Sequence, residues 1–269
     1  SQSRISVSRS AFHQDDSDKS AFIDADLERL TFGYNYALGP DKADMYKAAL
    51  ERFADQWQGH EISARAIYAW AQVVYAEGDY LQAHALATRG WQRNPANVGE
   101  VWCYNLIQQI EARSATIRTE RVWNDPLPDI HVTYRNVTKV FFRAVPFAAE
   151  DAIQPAWSYI SSAELGTLLA IRPVLEWSAD LPATVDYQQR TEVVPAPKGL
   201  EKGCYFIIAS HDPSFGVKDN QVSVASVWVS DLALLVRSLH RGSVIEGFVL
   251  DARTGEPLAG ATVIRWTYD

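Results

Sequence analysis

The spacing of hydrophobic residues changes partway along this chain, near residues 126–128. Before that point, apolar positions recur every three or four residues, as in Ile67 and Ala71, which is typical of helices that bury one face. After it they recur every second residue, as in Ile130 and Val132, which is typical of strands. Because the helical part precedes the strand-rich part, the sequence predicts a multidomain α+β fold.

Length and composition fit two folded domains. The 269 residues exceed the roughly 100–200 residues of a single domain, and 47% of them are apolar, which can supply a core in each. The net charge of −8 argues against a nucleic-acid partner. Residues 1–20 are polar and carry no signal-peptide pattern, so we expect a solvated leader and a chain that is a fragment of a longer protein.

Residues 21–119 are predicted to form a short antiparallel helical bundle. The clearest helix pair spans residues 63–95 and turns at Gly78. Asp41 is expected to cap an earlier helix, because Asp accepts hydrogen bonds from free backbone N–H groups. A last helix is expected over residues 97–116, where it would cover the end of the stack.

The helix pair around Gly78 has small, turn and terminating residues at informative positions. Ala71 and Ala83 let two helices approach, Gly78 makes the turn, and Pro95 stops the second helix. Together with Tyr80, these residues resemble a tetratricopeptide repeat. The resemblance implies a short helical-repeat domain that packs against a neighbour, because about three repeats are needed for an independent stack.

Residues 120–240 are predicted to form an antiparallel β-sandwich, because short alternating segments and turn residues follow each other closely. Residues 129–147 read as one long strand or as two strands broken at Asn136. Residues 162–170 read as a short helix or loop insertion. Further strands are predicted over residues 173–177, 184–194 and 203–210.

The densely apolar segment 221–236 is predicted to complete this sandwich. It fits one long strand, either buried on both faces or changing sheet, with a bulge at Ser230 and Asp231. After a break at 240–243, a strand from Val244 and a return strand over 258–266 are expected. Residues 241–269 are therefore predicted to be the first hairpin of a further β-sandwich domain.

Three segments, 134–145, 199–210 and 222–237, together resemble bacterial alpha-2-macroglobulin-like proteins. In the second, Leu, Gly and Tyr precede apolar residues, and the third contains Val-Ser-Asp-Leu. The resemblance covers residues 120–269 and implies a macroglobulin-like sandwich. Residues 247–263 alone also resemble transthyretin-like and carboxypeptidase-regulatory-like modules of secreted proteins.

Members of this family trap proteases, and many carry a reactive thioester made from a Cys-x-x-Gln pair. Neither cysteine has that spacing, since Leu106 follows Cys103 and Ile207 follows Cys204 at the third position. The resemblance therefore implies a non-catalytic scaffold portion of a protease inhibitor, in the bacterial periplasm or at the cell surface. Its implied partners are proteases, through the full-length parent, and neighbouring macroglobulin-like domains.

The sequence predicts no catalytic, cofactor-binding or metal-binding residues, and no small-molecule cofactor. His211, Asp212 and Ser214 are the residue types of a hydrolase triad, as are Ser230 and Asp231 in part, but a nucleophile elbow is lacking. The six histidines do not have zinc-motif spacing. They are His13, His60, His84, His131, His211 and His240. The cysteines are expected to be separate thiols.

The tryptophans raise the possibility of a binding groove. Trp70, Trp91 and Trp102 sit at helical core spacing, so we expect them to be buried. Trp157 and Trp177 are candidates to line a peptide groove.

Three functions are compatible with these features. The first is the protease-trap scaffold. The second is a peptide-binding module, in which the helical repeat binds a peptide and the β modules display the helical repeat. Exposed aromatic residues and paired polar residues forming a pocket on one helical face would favour the second. The third, an enzyme, needs a cleft of perturbed titratable groups, which we do not expect.

Overall fold

The computed structural model describes residues 18–93, 98–148, 162–239 and 244–263. The chain divides into two compact units. The first consists of Ser1–Ala112 with Asp186–Gln188, and the second of Arg113–Val185 with Gln189–Asp269. Among the described residues, helices and several antiparallel sheets make this an α+β protein.

Helices form the first unit. They are α1 (Ser20–Tyr36), α2 (Lys42–Gln56), α3 (Ile62–Ala76), α4 (Tyr80–Arg93) and α5 (Val98–Glu111). The predicted helix pair around Gly78 is confirmed as α3 and α4, and Gly78 has a φ of 86°, which favours glycine. Asp41 is at the N-cap position of α2, as predicted, but its side chain does not make the expected capping hydrogen bond.

Helix α3 lies at the centre of the described helices of this unit and contacts the other four. Alanines on α3 and α4 allow the close approach that the sequence predicted, since Ala71 and Ala83 are fully buried. Larger side chains fill the space between the helices, including Leu50, Ile67 and Ile110. A tetratricopeptide-like arrangement of these helices stays a prediction.

A short segment from the second half of the sequence belongs to the helical unit. The ring of Tyr187 stacks on His84, with ring centroids 5.1 Å apart. The side-chain amide of Gln188 donates a 2.7 Å hydrogen bond to the carbonyl of Gly78. These contacts explain why residues 186–188 group with α3 and α4.

Strands dominate the second unit. They are β1 (Ser114–Arg118), β2 (Val122–Trp123), β3 (Asp129–Arg135), β4 (Lys139–Phe147), β5 (Leu175–Asp180), β6 (Arg190–Pro195), β7 (Gly203–Ser210), β8 (Ser223–Val229), β9 (Leu232–Leu239) and β10 (Val244–Asp251). Helix α6 spans Ser162–Ala170. Strand β1 corrects the prediction of a helix over 97–116, because α5 ends at Glu111.

Two of the sheets share a core and form a β-sandwich. One has the strand order β1-β3-β6 and the other β2-β8-β7-β4-β5. Among the described strands, all neighbours in these two sheets are antiparallel except β2 and β8, which are parallel. Between the sheets lie Tyr134 and Ile130 from one and Phe142 and Ile207 from the other, all nearly inaccessible to solvent. The sequence of β3 predicted that every second side chain is buried, and the structure confirms this alternation.

Helix α6 accounts for the burial of the larger sheet on its second face. Leu168 of this helix packs with Val145 and Phe206, which point away from the sandwich core. Strands β4 and β7 are therefore covered on both faces, and six consecutive residues of β7 are buried. The continuous apolar runs of β4 and β7 reflect this double burial.

The break between β3 and β4 confirms the two-strand reading of residues 129–147. Asn136 has a φ of 58°. Its backbone N–H donates a 2.8 Å hydrogen bond to Oγ1 of Thr184. The predicted strand over 184–194 is shorter in the structure, where it begins at Arg190. The predicted strand over 173–177 is shifted to Leu175–Asp180.

The apolar segment 221–236 is two strands, and not one. The chain leaves the sandwich after Val229 and re-enters β structure at Leu232, where β9 pairs with β10 and with no other described strand. Of the two sequence-based readings, the change of sheet is therefore correct, and β9 with β10 forms a two-stranded ribbon. The break at 240–243 lies outside the described residues.

The return strand predicted over residues 258–266 is not present in residues 258–263. A single bridge joins Leu250 to Pro257 across a turn at residues 252–254. Asp251 shapes that turn by accepting hydrogen bonds from the backbone N–H groups of Arg253 and Thr254. Residues 264–266 lie outside the described part of the chain.

The two cysteines are not joined by a disulfide, as predicted. Cys103 is fully buried in the helical unit, and burial raises the pKa of its thiol to about 12. Cys204 is half-buried on β7. In the described residues, no helix has the length and apolar content needed to cross a membrane.

Candidate functional site

The first turns of three helices line a cleft of about 560 Å³ on the helical unit. They are the first turns of α1, α3 and α5. The lining residues are Ser20, Ala21, Asp24, Glu61, Ile62, Arg65, Val98, Gly99 and Trp102. We call this the helical cleft.

A glycine sets the width of the helical cleft. A Cβ atom on Gly99 would lie 2.5 Å from the backbone nitrogen of Arg65 and 2.8 Å from the carbonyl carbon of Ala64. The start of α5 can therefore approach the backbone of α3 only because residue 99 has no side chain. This approach places Trp102, one turn later, above Arg65.

Arg65 is the central polar residue of the helical cleft. Its guanidinium donates a hydrogen bond to the Asp24 carboxylate and lies 5.9 Å from the ring centroid of Trp102. The ring of Tyr68 also packs against that indole, with ring centroids 5.4 Å apart. Arg65 and Asp24 keep 33% and 41% of their side-chain surface exposed, so a ligand can reach both.

His60 links the starts of α1 and α3 beside the cleft. Its Nδ1 accepts a 3.3 Å hydrogen bond from the backbone N–H of Ile62, and its Nε2 lies 3.1 Å from Ser20 Oγ. In the neutral ring the proton is therefore on Nε2, which donates to Ser20. A serine nucleophile needs the opposite arrangement, so this pair does not activate Ser20.

Helix N-termini and carboxylates balance the charge of the cleft. Each N-terminus contributes about half a positive elementary charge. Asp24 and Glu61 line the cleft, and Asp18 lies just before α1. Hydrogen bonds from Ser20 hold the pKa of Asp18 below its usual value, so it is ionised at neutral pH. The site thus offers both signs of charge next to an exposed indole, which suits binding.

The sequence did not reveal these exposed aromatic residues. Trp70 is buried as predicted, but Trp102 is 39% exposed and Trp91 is 42% exposed. Val98 and Val101 are also exposed, so α5 is apolar on two sides, of which one contacts the core. The signal was the unusual number of apolar residues around the whole helix, which spacing alone does not separate into buried and exposed sets.

The other candidate residues lie elsewhere. Trp177 is partly buried against the sandwich core and stacks on Phe142, with ring centroids 4.9 Å apart, so its role in a peptide groove stays a prediction. Asp212 accepts hydrogen bonds from the backbone and hydroxyl of Ser214, which ties both residues into one turn. Ser230 Oγ accepts from the backbone N–H of Leu232. Trp157 lies outside the described residues.

The histidines do not come together in the described part of the chain. His60 and His84 belong to the helical unit, whereas His131 and His211 belong to the β unit. His13 and His240 lie outside the described residues. Within residues 18–93, 98–148, 162–239 and 244–263, no group of three potential metal ligands is found.

The surroundings of His211 disfavour the charged form of its imidazole. Burial and the nearby positive charge of Arg113 lower the pKa of His211 from its usual 6.5. Its Nδ1 is buried and has no hydrogen-bond partner among the described residues. The unfolded chain therefore binds a proton at higher pH than the folded chain does, and stability falls as the pH drops below about 6.5.

We expect His211→Gln to reduce this loss of stability between pH 7 and pH 5.5. Urea denaturation of both proteins at the two pH values measures it. His131→Gln, which changes an exposed histidine on β3, is the control and should leave the loss as in the original chain. Equal acid sensitivity in the His211→Gln variant and the original chain would contradict the assignment.

Comparisons with known proteins identify no relative of this chain. No family model, no curated protein and no solved structure matches it.

Proposed function

We propose that this chain is a non-enzymatic binding module whose helical cleft binds a segment of another protein. The observation that supports this most directly is the exposed indole of Trp102 beside the Arg65–Asp24 pair. Exposed aromatic residues and arginines are the usual centres of binding energy at protein interfaces. The β-sandwich then serves to display the helical unit.

The chemistry of the cleft favours a peptide that carries both apolar and charged groups. An apolar side chain of the ligand contacts Trp102 and Val98, which are both exposed. A carboxylate of the ligand pairs with Arg65, or a basic group pairs with Asp24 and Glu61. The close contact of Gly99 with α3 keeps these groups in place before binding, which reduces the entropic cost of association.

Binding through this cleft is expected to depend on Trp102 and Arg65. A phage-displayed library of random peptides, selected on the whole chain, provides the ligand. Trp102→Ala and Arg65→Ala should each weaken the selected peptide at least ~30-fold, because central aromatic and arginine residues contribute about 2 kcal/mol or more. Isothermal titration calorimetry measures the change in affinity.

Trp91→Ala is the matched control, because Trp91 is an equally exposed tryptophan of the same unit but does not line the cleft. It should bind the selected peptide like the original chain. The proposal is wrong if the selection yields no binder, or if the selected peptides tolerate both cleft substitutions.

A second candidate is a scaffold portion of an alpha-2-macroglobulin-like protease inhibitor, located in the bacterial periplasm or at the cell surface. The β-sandwich followed directly by the ribbon of β9 and β10 favours it, because this order of elements fits a chain of successive β domains. Proteases and neighbouring macroglobulin-like domains would then be the partners. A Cys-x-x-Gln pair further along the same polypeptide would support this candidate.

A further inference from the structure

The ribbon of β9 and β10 exposes apolar side chains on both faces. Leu232, Leu234 and Val236 lie on one face of β9 and are 52%, 58% and 48% exposed. On the other face, Leu235 and Phe248 pair across the two strands and are 62% and 61% exposed. A ribbon of only two strands is marginal in water, and a stable sheet needs at least three with an apolar face.

The outer edge of β9 is open among the described residues, because β10 is its only strand neighbour there. On β10, the carbonyl of Val249 and the N–H of Asp251 bond to residues 258 and 256, so both point away from β9. In an antiparallel pair, two opposed residues either both direct their backbone N–H and C=O groups toward each other or both direct them away. Leu234 and Val236, opposite Val249 and Gly247, therefore direct their backbone N–H and C=O groups to the open edge.

This edge lacks the features that usually prevent strand pairing. Exposed edge strands are normally protected by lysine, proline, bulges or inward-pointing charges. Strand β9 has the sequence LALLVRSL, which contains neither lysine nor proline. Its one charge, Arg237, is already paired with Glu246 of β10 at 2.8 Å.

We propose that β9 pairs antiparallel with β9 of a second copy of this chain, so that the two ribbons form a four-stranded sheet across a two-fold axis. A two-fold axis perpendicular to the sheet keeps like faces together, so Leu234 of one copy lies beside Val236 of the other. With Leu235 at the axis, each Arg237 lies opposite Ala233 of the other copy, and the two arginines do not face each other.

The size of the ribbon favours edge pairing over stacking of faces. Eight residues make a strand about 27 Å long, and two strands are about 10 Å wide, which gives a face of a few hundred Å². A stable interface buries about 800 Å² on each partner. Area alone is therefore too small to hold two ribbons together in either arrangement, but edge pairing also forms backbone hydrogen bonds, which stacking does not.

The test is the oligomeric state of the whole chain. Sedimentation velocity from low to high micromolar concentration should show a concentration-dependent species of twice the 30.1 kDa mass of the chain. Leu234→Pro removes one outward-pointing N–H without touching the ladder to β10, and Leu234→Lys adds an edge charge. Each should weaken the dimer at least ~10-fold, as expected for about 1.4 kcal/mol.

Val185→Lys is the control, because Val185 is 80% exposed and lies outside the ribbon. It should dimerise like the original chain. Hydrogen exchange completes the test, since the amides of Leu234 and Val236 should be protected only in the dimer. The proposal is overturned if the chain is monomeric at all concentrations. This includes the case in which another part of the same chain protects these amides. A dimer that persists in both Leu234 variants also overturns it. The proposal is independent of the helical cleft.

Discussion

Replacing Trp123 with alanine is expected to lower the free energy of unfolding of the β unit by about 3–5 kcal/mol, the range for removal of a fully buried aromatic side chain. Trp123 is inaccessible to solvent and belongs to the core between the two sheets. Its indole N–H donates to the carbonyl of Glu120 and to Thr119 Oγ1, both at 3.1 Å. The substitution leaves a cavity and two acceptors without their donor.

Urea denaturation followed by tryptophan fluorescence, with hydrogen exchange to assign the loss to the β unit, measures this effect. Trp228→Ala is the matched control, because Trp228 lies on the neighbouring strand opposite Val122 but is 42% exposed. It should cost about 1 kcal/mol or less. Equal losses in the two variants would show that Trp123 does not hold the sandwich core.

Gly99→Ala is expected to destabilise the helical unit by about 1–3 kcal/mol, because the new methyl group meets the backbone of α3 and not a flexible side chain. Helix α5 then has to move away from Arg65. This movement also displaces Trp102, so the variant should lose binding at the helical cleft. Denaturation followed by far-ultraviolet circular dichroism reports the stability.

Gly33→Ala tests whether the effect comes from the contact or from loss of glycine itself. Gly33 lies in α1, and a Cβ atom there would meet nothing within 4 Å. Alanine should therefore stabilise α1 by up to about 1 kcal/mol, as it does in exposed helices. Destabilisation by both substitutions would contradict the assigned role of Gly99.

Local sequence patterns predicted the strand over residues 203–210 and the turn at Gly78 correctly. The strand over 203–210 is apolar along its length because the sandwich core and α6 cover its two faces. Glycine at position 78 gave the turn between α3 and α4 because it supplies a positive φ. In both cases the residue types within the element are enough to indicate its conformation.

Pairing between distant segments was not predictable in the same way. Strand β1 is five residues long and directly follows a helix, so its period is too short to detect, and β3 supplies its hydrogen bonds. The sequence of β9 fits a strand, but it does not specify whether β8 or β10 is the neighbour. Trp123 fills the sandwich core although it lies only three residues before Pro126, in a segment without a clear strand pattern.

The candidate site was the least predictable part. Apolar spacing placed Trp102 in the core, because α5 carries apolar residues on two sides and one sequence cannot tell which side is covered. Arg65 and Asp24 are 41 positions apart, so their ion pair could not be predicted from a local pattern. Only the meeting of three helix starts brings these residues together.

The assignment of residues 186–188 to the helical unit affects how this protein can be dissected or recombined. The polypeptide passes from one unit to the other after Ala112, after Val185 and again after Gln188. A truncation at Ala112 removes the ring that stacks on His84 and the amide that bonds to Gly78. Neither unit is a cassette that can be exchanged by a single crossover, so insertions and gene fusions that respect both must preserve three junctions.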